Sequence, residues 1–235
     1  MARGKAYIRG RGLSRFWTLG WVAIGLGAAV LAGCASGKQT EVTRLQAQSA
    51  FERGVAEFND GRLAMAISSL QEAVQLDPSV AQYSNALGVV YLGLGRSPEA
   101  LEEFKRAVDL NPRWGEARHN LGVAYATVGK WREAIQQYRE ALAVPGYSDL
   151  ENTYHNLGWA HYNLDRLQEA EESFRMVLRL SPKFVSAYYH LGLVLVKAGR
   201  RDEARAAFRQ ARELGPDTPL GLSAKEHLKA LGEGG

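Results

Sequence analysis

A spacing of 34 residues is the feature that most constrains this chain, because small and large apolar residues recur at that interval from residue 47 onwards. The copy that starts at Ala81 carries the full pattern at repeat positions 7, 8, 11, 15, 20, 24, 27 and 32: Leu87, Gly88, Tyr91, Gly95, Ala100, Phe104, Ala107 and Pro112. Small residues at positions 8, 20 and 27 let two helices pack closely, and a glycine at position 15 permits the turn between them. Proline at position 32 ends the second helix because it has no backbone N–H. The period therefore predicts a repeated helical hairpin.

Five copies of the pattern fit the sequence, and they resemble the tetratricopeptide (TPR) repeat. The predicted units are 47–80, 81–114, 115–150, 151–184 and 185–218, of which the third is two residues longer because of an insertion within 145–150. The resemblance implies an all-α fold in which the five helix-turn-helix repeats stack into a right-handed superhelix, or α-solenoid. Residues 219–235 are predicted to form a C-terminal capping helix and tail. In this helix Leu222, His227, Leu228 and Leu231 are expected to cover the last unit's apolar face.

Two local predictions concern the ends of the units. Glu57 replaces the aromatic residue that is usual at position 11, and we expect it to face solvent because the first unit has a neighbour on one side only. Ser97 is predicted to cap the second helix of the second unit, with Pro98 at the first helical position.

The first 33 residues have the order of a bacterial export signal. Five basic residues and no acidic residue precede an apolar run from Trp17 to Gly33. This run is shorter than the roughly 20 residues that a membrane-spanning helix needs, although an uncleaved anchor remains the alternative. The run ends in Leu31-Ala32-Gly33-Cys34, which resembles the lipobox of bacterial lipoproteins.

The lipobox resemblance implies how the mature chain is held in the cell envelope. Cleavage would leave Cys34, the one cysteine of the sequence, to carry a diacylglycerol, and acyl chains anchor a protein stably in a bilayer. Residues 34–46 would be the lipidated N-terminus and tether. Ala35 and Ser36 lack the aspartate associated with retention in the inner membrane, so delivery to the outer membrane is expected, with the repeats in the periplasm.

Charge and motifs favour a binding protein over an enzyme. The chain has 29 Lys and Arg, and the five in the leader leave 24 against 25 Asp and Glu, so the basic pI is no argument for nucleic acid. No nucleophile elbow, Walker loop or HExxH motif occurs in the sequence. No histidines lie four apart, so we predict no metal, no cofactor, no small-molecule substrate and no enzymatic activity.

The TPR resemblance implies that the first helices of the units line a concave groove that binds a polypeptide. TPR domains that hold a terminal carboxylate use Lys at position 5 and Asn at position 9, and neither occurs there in this chain. The predicted groove is instead apolar and aromatic, with Trp159 and Tyr162 as candidate anchors. The candidate partner-binding residues are Asn85, Val89, His119, Val123, His155, Trp159, Tyr162, Tyr189 and Leu193. The alternative is that these side chains serve packing between helices.

A lipobox followed directly by TPR units is similar to the pilotins, lipoproteins of type IV pilus biogenesis. Residues 141–147 and 154–158 resemble the break between middle repeats in that family, where proline and tyrosine precede Tyr-x-Asn-Leu-Gly. The resemblance implies non-catalytic capture of a secretin subunit and its delivery to the outer membrane. Pilotins often have six units, and this chain has five. Two alternatives stay open, an adaptor for peptidoglycan hydrolases and a TPR lipoprotein of exopolysaccharide export.

A basic stripe is predicted on the second helix of the fifth unit. Arg201, Arg205, Arg209 and Arg212 follow one another at helical spacing. They could contact anionic lipid headgroups, or they could form an ordinary solvated face with Asp202 and Glu213 nearby.

Overall fold

The computed structural model describes residues 40–232, and this part of the chain contains helices and no strand. The predicted signal and the lipobox at Cys34 lie outside the described residues. Helix α1 occupies residues 40–59. The helices that follow are α2 (Leu63–Leu76), α3 (Ala81–Gly93), α4 (Ser97–Leu110), α5 (Gly115–Thr127), α6 (Trp131–Leu142), α7 (Leu150–Asn163), α8 (Leu167–Leu180), α9 (Val185–Lys197), α10 (Arg201–Leu214) and α11 (Pro219–Ala230). The odd-numbered helices α1 to α9 are called A helices below, and α2 to α10 are called B helices.

Each A helix packs against its B helix through a glycine that faces a large side chain. Position 8 glycines lie against the residue at position 24, so a Cβ added at Gly122 would lie 2.5 Å from Tyr138 Cε1, and one added at Gly192 would lie 2.6 Å from Phe208 Cε1. Tyr138 and Phe208 are almost fully buried. The close approach predicted from the repeat is therefore confirmed.

The turn within each hairpin uses a left-handed residue. Four units have glycine there, with φ between 71° and 76°, as at Gly95 with φ 71°. The fourth unit has Asp165 with φ 63°. A left-handed conformation costs about 1–2 kcal/mol for a residue with a Cβ, so this turn carries local strain that the glycine turns lack.

The prediction that Ser97 caps α4 is wrong. Ser97 is the first residue of the helix and is buried, and the capping position belongs to Arg96, whose side chain makes no cap hydrogen bond. The Arg96 carbonyl instead accepts the first helical hydrogen bond, from the Ala100 N–H at 3.0 Å. The left-handed turn at Gly95 directly precedes Arg96, so α4 begins from this turn without a side-chain cap.

The first unit also differs from the sequence-based expectation. Glu57 is only 4% exposed rather than solvent-facing, because Ser69 Oγ donates to its Oε2 at 2.7 Å and Arg53 Nε donates to that hydroxyl at 2.9 Å. Helix α1 also includes residues 40–46, so this part of the predicted tether 34–46 is helical instead. Val42 and Leu45 are exposed in this segment.

The two-residue insertion in the third unit places an aromatic side chain between units. Tyr147 is buried and packs against Gly115, where an added Cβ would lie 2.5 Å from its Cδ2. Its hydroxyl is 2.6 Å from Thr153 Oγ1, and burial raises the pKa of this phenol to about 12. The insertion thus fills the junction between the third and fourth units.

Helix α11 closes the C-terminal end of the described array, as predicted. Thr218 caps it by accepting a hydrogen bond from the Gly221 N–H at 3.1 Å. Leu228 is buried, and the His227 ring stacks on Phe208 with centroids 4.8 Å apart. Leu222 does not take part in this cover, because it lies on the opposite face and is 54% exposed.

The predicted arginine stripe on α10 is not a uniform surface. Arg205 donates to the Leu231 carbonyl at 3.1 Å and pairs with Asp202, so it fastens the end of the capping helix to the fifth unit. Among the described helices, none is both long and apolar enough to cross a membrane.

Candidate functional site

The curvature of the array follows from which helices touch. The backbones of α3 and α5, of α5 and α7, and of α7 and α9 approach each other closely, whereas the backbones of successive B helices do not within residues 40–232. The A helices are therefore closer together than the B helices, and they form the inner, concave side. All nine predicted groove residues lie on A helices and are half-buried.

Polar side chains of the groove pair with partners about one repeat further along the chain. His119 Nδ1 lies 2.7 Å from Thr153 Oγ1, and His155 Nε2 lies 2.9 Å from His190 Nδ1. Asn120 donates to Asn85 Oδ1 at 3.0 Å, and the Tyr189 hydroxyl lies 3.3 Å from His227 Nε2. These contacts join neighbouring units, so part of the predicted groove does serve packing between helices.

Three of these histidines, His119, His155 and His190, have a lowered pKa, which favours their neutral form. Burial lowers the pKa of His119 and of His155 below the ordinary value. Burial, reinforced by the neighbouring His155, lowers the pKa of His190 to about 4. In the neutral pair one imidazole donates and the other accepts, and aromatic rings of Phe174 and Trp159 pack around them.

The part of the chain from 40 to 232 contains no group of three or more His, Cys, Asp or Glu side chains that could hold a metal ion. His155 and His190 form a pair of ring nitrogens with no third ligand of this kind beside them in that part of the chain.

The anchors predicted from the sequence are adjacent in space. The rings of Trp159 and Tyr162 stack with centroids 5.2 Å apart, and Lys197 Nζ lies 4.8 Å from the Tyr162 ring centroid. Lys197 is also held by Asp165 at 2.6 Å. Trp159 and Tyr162 therefore form an aromatic surface with the Lys197 cation beside it. Such a surface suits a partner polypeptide in which an apolar side chain is followed by a polar group.

A pocket of about 240 Å³ lies beside this platform, between the third and fourth units. Val123 and Trp159 line it as the sequence predicted, together with Ala126, Thr127, Trp131, Tyr138 and Asn156. Trp131 is the residue that sequence reasoning missed. It begins α6, and a tryptophan at the start of a B helix, where the other units carry Leu, Ser, Leu and Arg, was the available signal.

The remaining candidates do not join this pocket. Asn85 and Val89 lie in the second unit, with Val89 packed on the N-terminal hydrophobic cluster. Tyr189 and Leu193 pack on the C-terminal cluster. The groove is thus a series of separate contact points, with a pocket between Trp131 and Trp159.

Models of the tetratricopeptide repeat match four overlapping or adjoining segments of the chain, at residues 47–80, 81–114, 117–183 and 155–219. Among curated proteins, the chain is similar to Protein POLLENLESS 3-LIKE 2 of Arabidopsis thaliana. The identity is 39% over 75 residues, which is 32% of this chain and 17% of that protein. The chain thus spans less than a fifth of the length of this relative.

Three solved structures show the same fold. MamA has a TM-score of 0.67 at 25% identity, and the match covers 73% of this chain and 92% of MamA. YrrB, described as a TPR protein with an unusual peptide-binding site, has a TM-score of 0.67 at 22% identity, covering 81% and 97%. PilW, described as a widely conserved type IV pilus biogenesis factor, has a TM-score of 0.71 at 21% identity, covering 80% and 86%. With repeat models matching from residue 47 to residue 219, the chain belongs to the tetratricopeptide-repeat proteins, a fold that typically serves as a non-catalytic scaffold for binding other proteins.

Proposed function

We propose that this protein is a lipid-anchored scaffold of the bacterial outer membrane that assists type IV pilus biogenesis by binding a secretin subunit. The observation that carries the binding role is the pocket between Trp131 and Trp159 on the concave side. The pilus assignment is supported by the shared fold with PilW and by the sequence resemblance to pilotins.

The pocket suits an apolar segment of a partner polypeptide. Its walls carry two tryptophans and a valine, and Asn156 supplies an amide at the edge. Buried aromatic side chains at the centre of an interface commonly contribute most of its binding energy. The secretin segment would place an apolar side chain between Trp131 and Trp159 and run along the A helices.

The anchor is proposed from the sequence alone. Cys34 would carry the acyl chains, and the repeats would stand in the periplasm close to the inner leaflet of the outer membrane. Replacing this residue, as in Cys34→Ser, should abolish labelling with a radioactive or alkyne-bearing fatty acid. Persistent labelling of the variant would refute the lipoprotein assignment.

The test of function is the assembly of secretin multimers in cells. We expect that deletion of the gene leaves secretin monomers in envelope fractions, and that the wild-type chain restores heat-resistant multimers. Trp159→Ala should reduce the amount of secretin that co-purifies with the Cys34→Ser chain at least tenfold, as for an interface anchor worth about 2 kcal/mol.

Trp114→Ala is the matched control, because Trp114 precedes α5 and packs on the N-terminal cluster outside the pocket. Circular dichroism must show that both variants remain helical. Normal secretin multimers in the deletion strain would refute the proposal. Co-purification of a cell-wall hydrolase or an exopolysaccharide enzyme, without secretin, would favour one of the alternatives instead.

A further inference from the structure

Trp159 belongs to the partner-binding pocket and, at the same time, to the junction with the next unit. It lines the pocket of about 240 Å³ together with Val123 and Trp131 of the third unit. It also packs on the C-terminal hydrophobic cluster, where its ring centroid lies 4.9 Å from that of His190 in the fifth unit. The anchor proposed for the partner is therefore in contact with a residue that does not itself line the pocket.

The His190 ring is fixed by its neighbours. Its Nδ1 lies 2.9 Å from Nε2 of His155 on α7. Its ring stacks on Phe174 of α8 with centroids 5.7 Å apart, and the Tyr189 ring meets it edge-on with centroids 5.4 Å apart. Because a hydrogen bond and several ring contacts constrain the imidazole, it cannot turn away from Trp159 without breaking them.

The hydrogen bond between His155 and His190 follows a geometry that recurs in the array. It joins repeat position 5 of one A helix to position 6 of the next. Asn85 and Asn120 are joined in the same way, at 3.0 Å, between the second and third units. An amide pair is therefore sufficient to bridge neighbouring A helices at these positions, and the imidazole pair adds an aromatic ring to the bridge.

The two residues that meet at this junction are exceptional in their own units. Position 6 carries Glu, Ala, Asn and Asn in the first four units, and histidine in the fifth. Position 9 carries valine or leucine in four units, and tryptophan in the fourth. The contact between His190 and Trp159 is thus specific to one junction, the one beside the pocket, and the general repeat does not require it.

An indole that is fixed before a partner arrives favours binding. A large side chain that turns freely must be ordered when an interface forms, which lowers the affinity by about two- to tenfold. Tyr162 stacks on the Trp159 indole with centroids 5.2 Å apart, and His190 contacts it as well, so two neighbours restrict its rotation. Tyr162 lies on the same helix as Trp159, whereas His190 joins the indole to the next unit.

We propose that His190 is a positioning residue of the partner-binding pocket: its ring, held by His155, keeps the Trp159 indole in the orientation that receives the partner. This inference rests on the binding role proposed above for the pocket and extends it to the fifth unit. His190 acts through Trp159 and need not touch the partner. The bridge between α7 and α9 therefore determines how well a pocket between the third and fourth units binds.

The first test follows the Trp159 indole in the free protein, by fluorine NMR of the Cys34→Ser chain labelled with fluorotryptophan. The sequence has five tryptophans, and the Trp159 resonance is the one that disappears in Trp159→Phe. His155→Ala removes the hydrogen bond and leaves the His190 ring in the chain. We expect the Trp159 resonance of this variant to shift and broaden, because the indole then samples several orientations.

His155→Asn is the conservative variant that separates positioning from a general loss of packing. An asparagine at position 5 reaches its partner at position 6 in the bridge between Asn85 and Asn120, so it should hold His190 and restore most of the wild-type Trp159 resonance. Asn85→Ala is the matched control, because it breaks the equivalent bridge between the second and third units. It should leave the Trp159 resonance unchanged.

The second test measures how much secretin co-purifies from envelope extracts with variants that circular dichroism shows to be equally helical. His155→Ala should reduce the amount about two- to tenfold, which is less than the effect of Trp159→Ala. His190→Asn should reduce it by a similar factor, because an amide can keep the bridge to His155 but cannot replace the ring beside Trp159.

An unchanged Trp159 resonance in His155→Ala would overturn the proposal, and so would equal changes in His155→Ala and His155→Asn. Undiminished capture of secretin by His190→Asn would overturn it as well. The fluorine NMR experiment needs no partner, so its outcome is independent of the secretin role. If the wild-type chain captures no secretin, the proposed function fails while the Trp159 resonance still decides whether His190 positions the indole.

Discussion

Acid should weaken this protein through two histidines, the buried His161 of the fourth unit and the half-buried His190 of the fifth. His161 is 1% exposed, its Nδ1 has no hydrogen-bond partner among the described residues, and burial, with nearby Arg139, lowers its pKa to about 4. The pKa of His190 is also lowered to about 4. In the unfolded chain both imidazoles return to a pKa near 6.5.

The sign and size of the effect follow from these values. Below about pH 6.5 the two imidazoles bind protons in the unfolded chain, whereas in the folded chain they stay neutral down to about pH 4. The free energy of unfolding therefore falls as the pH falls from about 6.5 to about 4. Each pH unit costs about 1.4 kcal/mol for each histidine. Between pH 7 and pH 5 the loss is about 2 kcal/mol for each histidine, and about 4 kcal/mol for His161 and His190 together.

The assay is urea unfolding followed by circular dichroism at pH 7 and pH 5, with wild-type protein and a variant that carries His161→Tyr and His190→Asn. Both replacements are residues that other units use at the same repeat positions, as at Tyr125 and Asn120. The variant should lose about 4 kcal/mol less than wild type between the two pH values. Protonation of carboxylates affects both proteins equally, so the difference isolates the histidines.

An equal loss of stability in wild type and variant would refute this reasoning. So would greater stability of the wild-type chain at pH 5 than at pH 7. In either case the buried imidazoles could not be neutral in the folded protein and charged in the unfolded one.

Three further predictions concern the fold. Gly122→Ala should destabilise the protein by about 1–3 kcal/mol, because the new Cβ would clash with the Tyr138 ring. Gly93→Ala places its methyl group where no atom lies within 4 Å, so this variant should be neutral or stabilised by up to about 1 kcal/mol. Equal melting temperatures of the two variants would contradict this prediction. Asp165→Ala should be about 1 kcal/mol less stable than Asp165→Gly by the same measurement, because the turn is left-handed, and the reverse order would argue against strain there. Thr218→Ala should cost about 1 kcal/mol and speed hydrogen exchange in α11, and unchanged protection would show that the cap is not needed.

The sequence predicted the elements of the fold because each repeat position makes the same kind of local contact in every unit. Position 8 glycines face position 24 side chains, as Gly192 faces Phe208, and the helix after Pro216 covers the end of the array. These contacts lie within one hairpin or between adjoining helices, so the period alone fixes them.

The sequence did not predict which side chains meet across units. Whether His155 contacts His119 or His190 depends on the rise and rotation from one unit to the next and on side-chain rotamers, and a period contains neither. Glu57 was misplaced for a different reason: its burial depends on a hydrogen bond from Ser69 of the same hairpin, where the first unit departs from the repeat pattern.

The hydrophobic interior of the described array is divided into three clusters, one from α1 to α5, one around α6 and α7, and one from α8 to α11. The joints between clusters are where the empty scaffold should bend most easily. The pocket between Trp131 and Trp159 spans residues of the middle and C-terminal clusters. A polypeptide bound there would contact both clusters and restrict bending between them. The protein with a bound partner should therefore be measurably stiffer under force than the free protein.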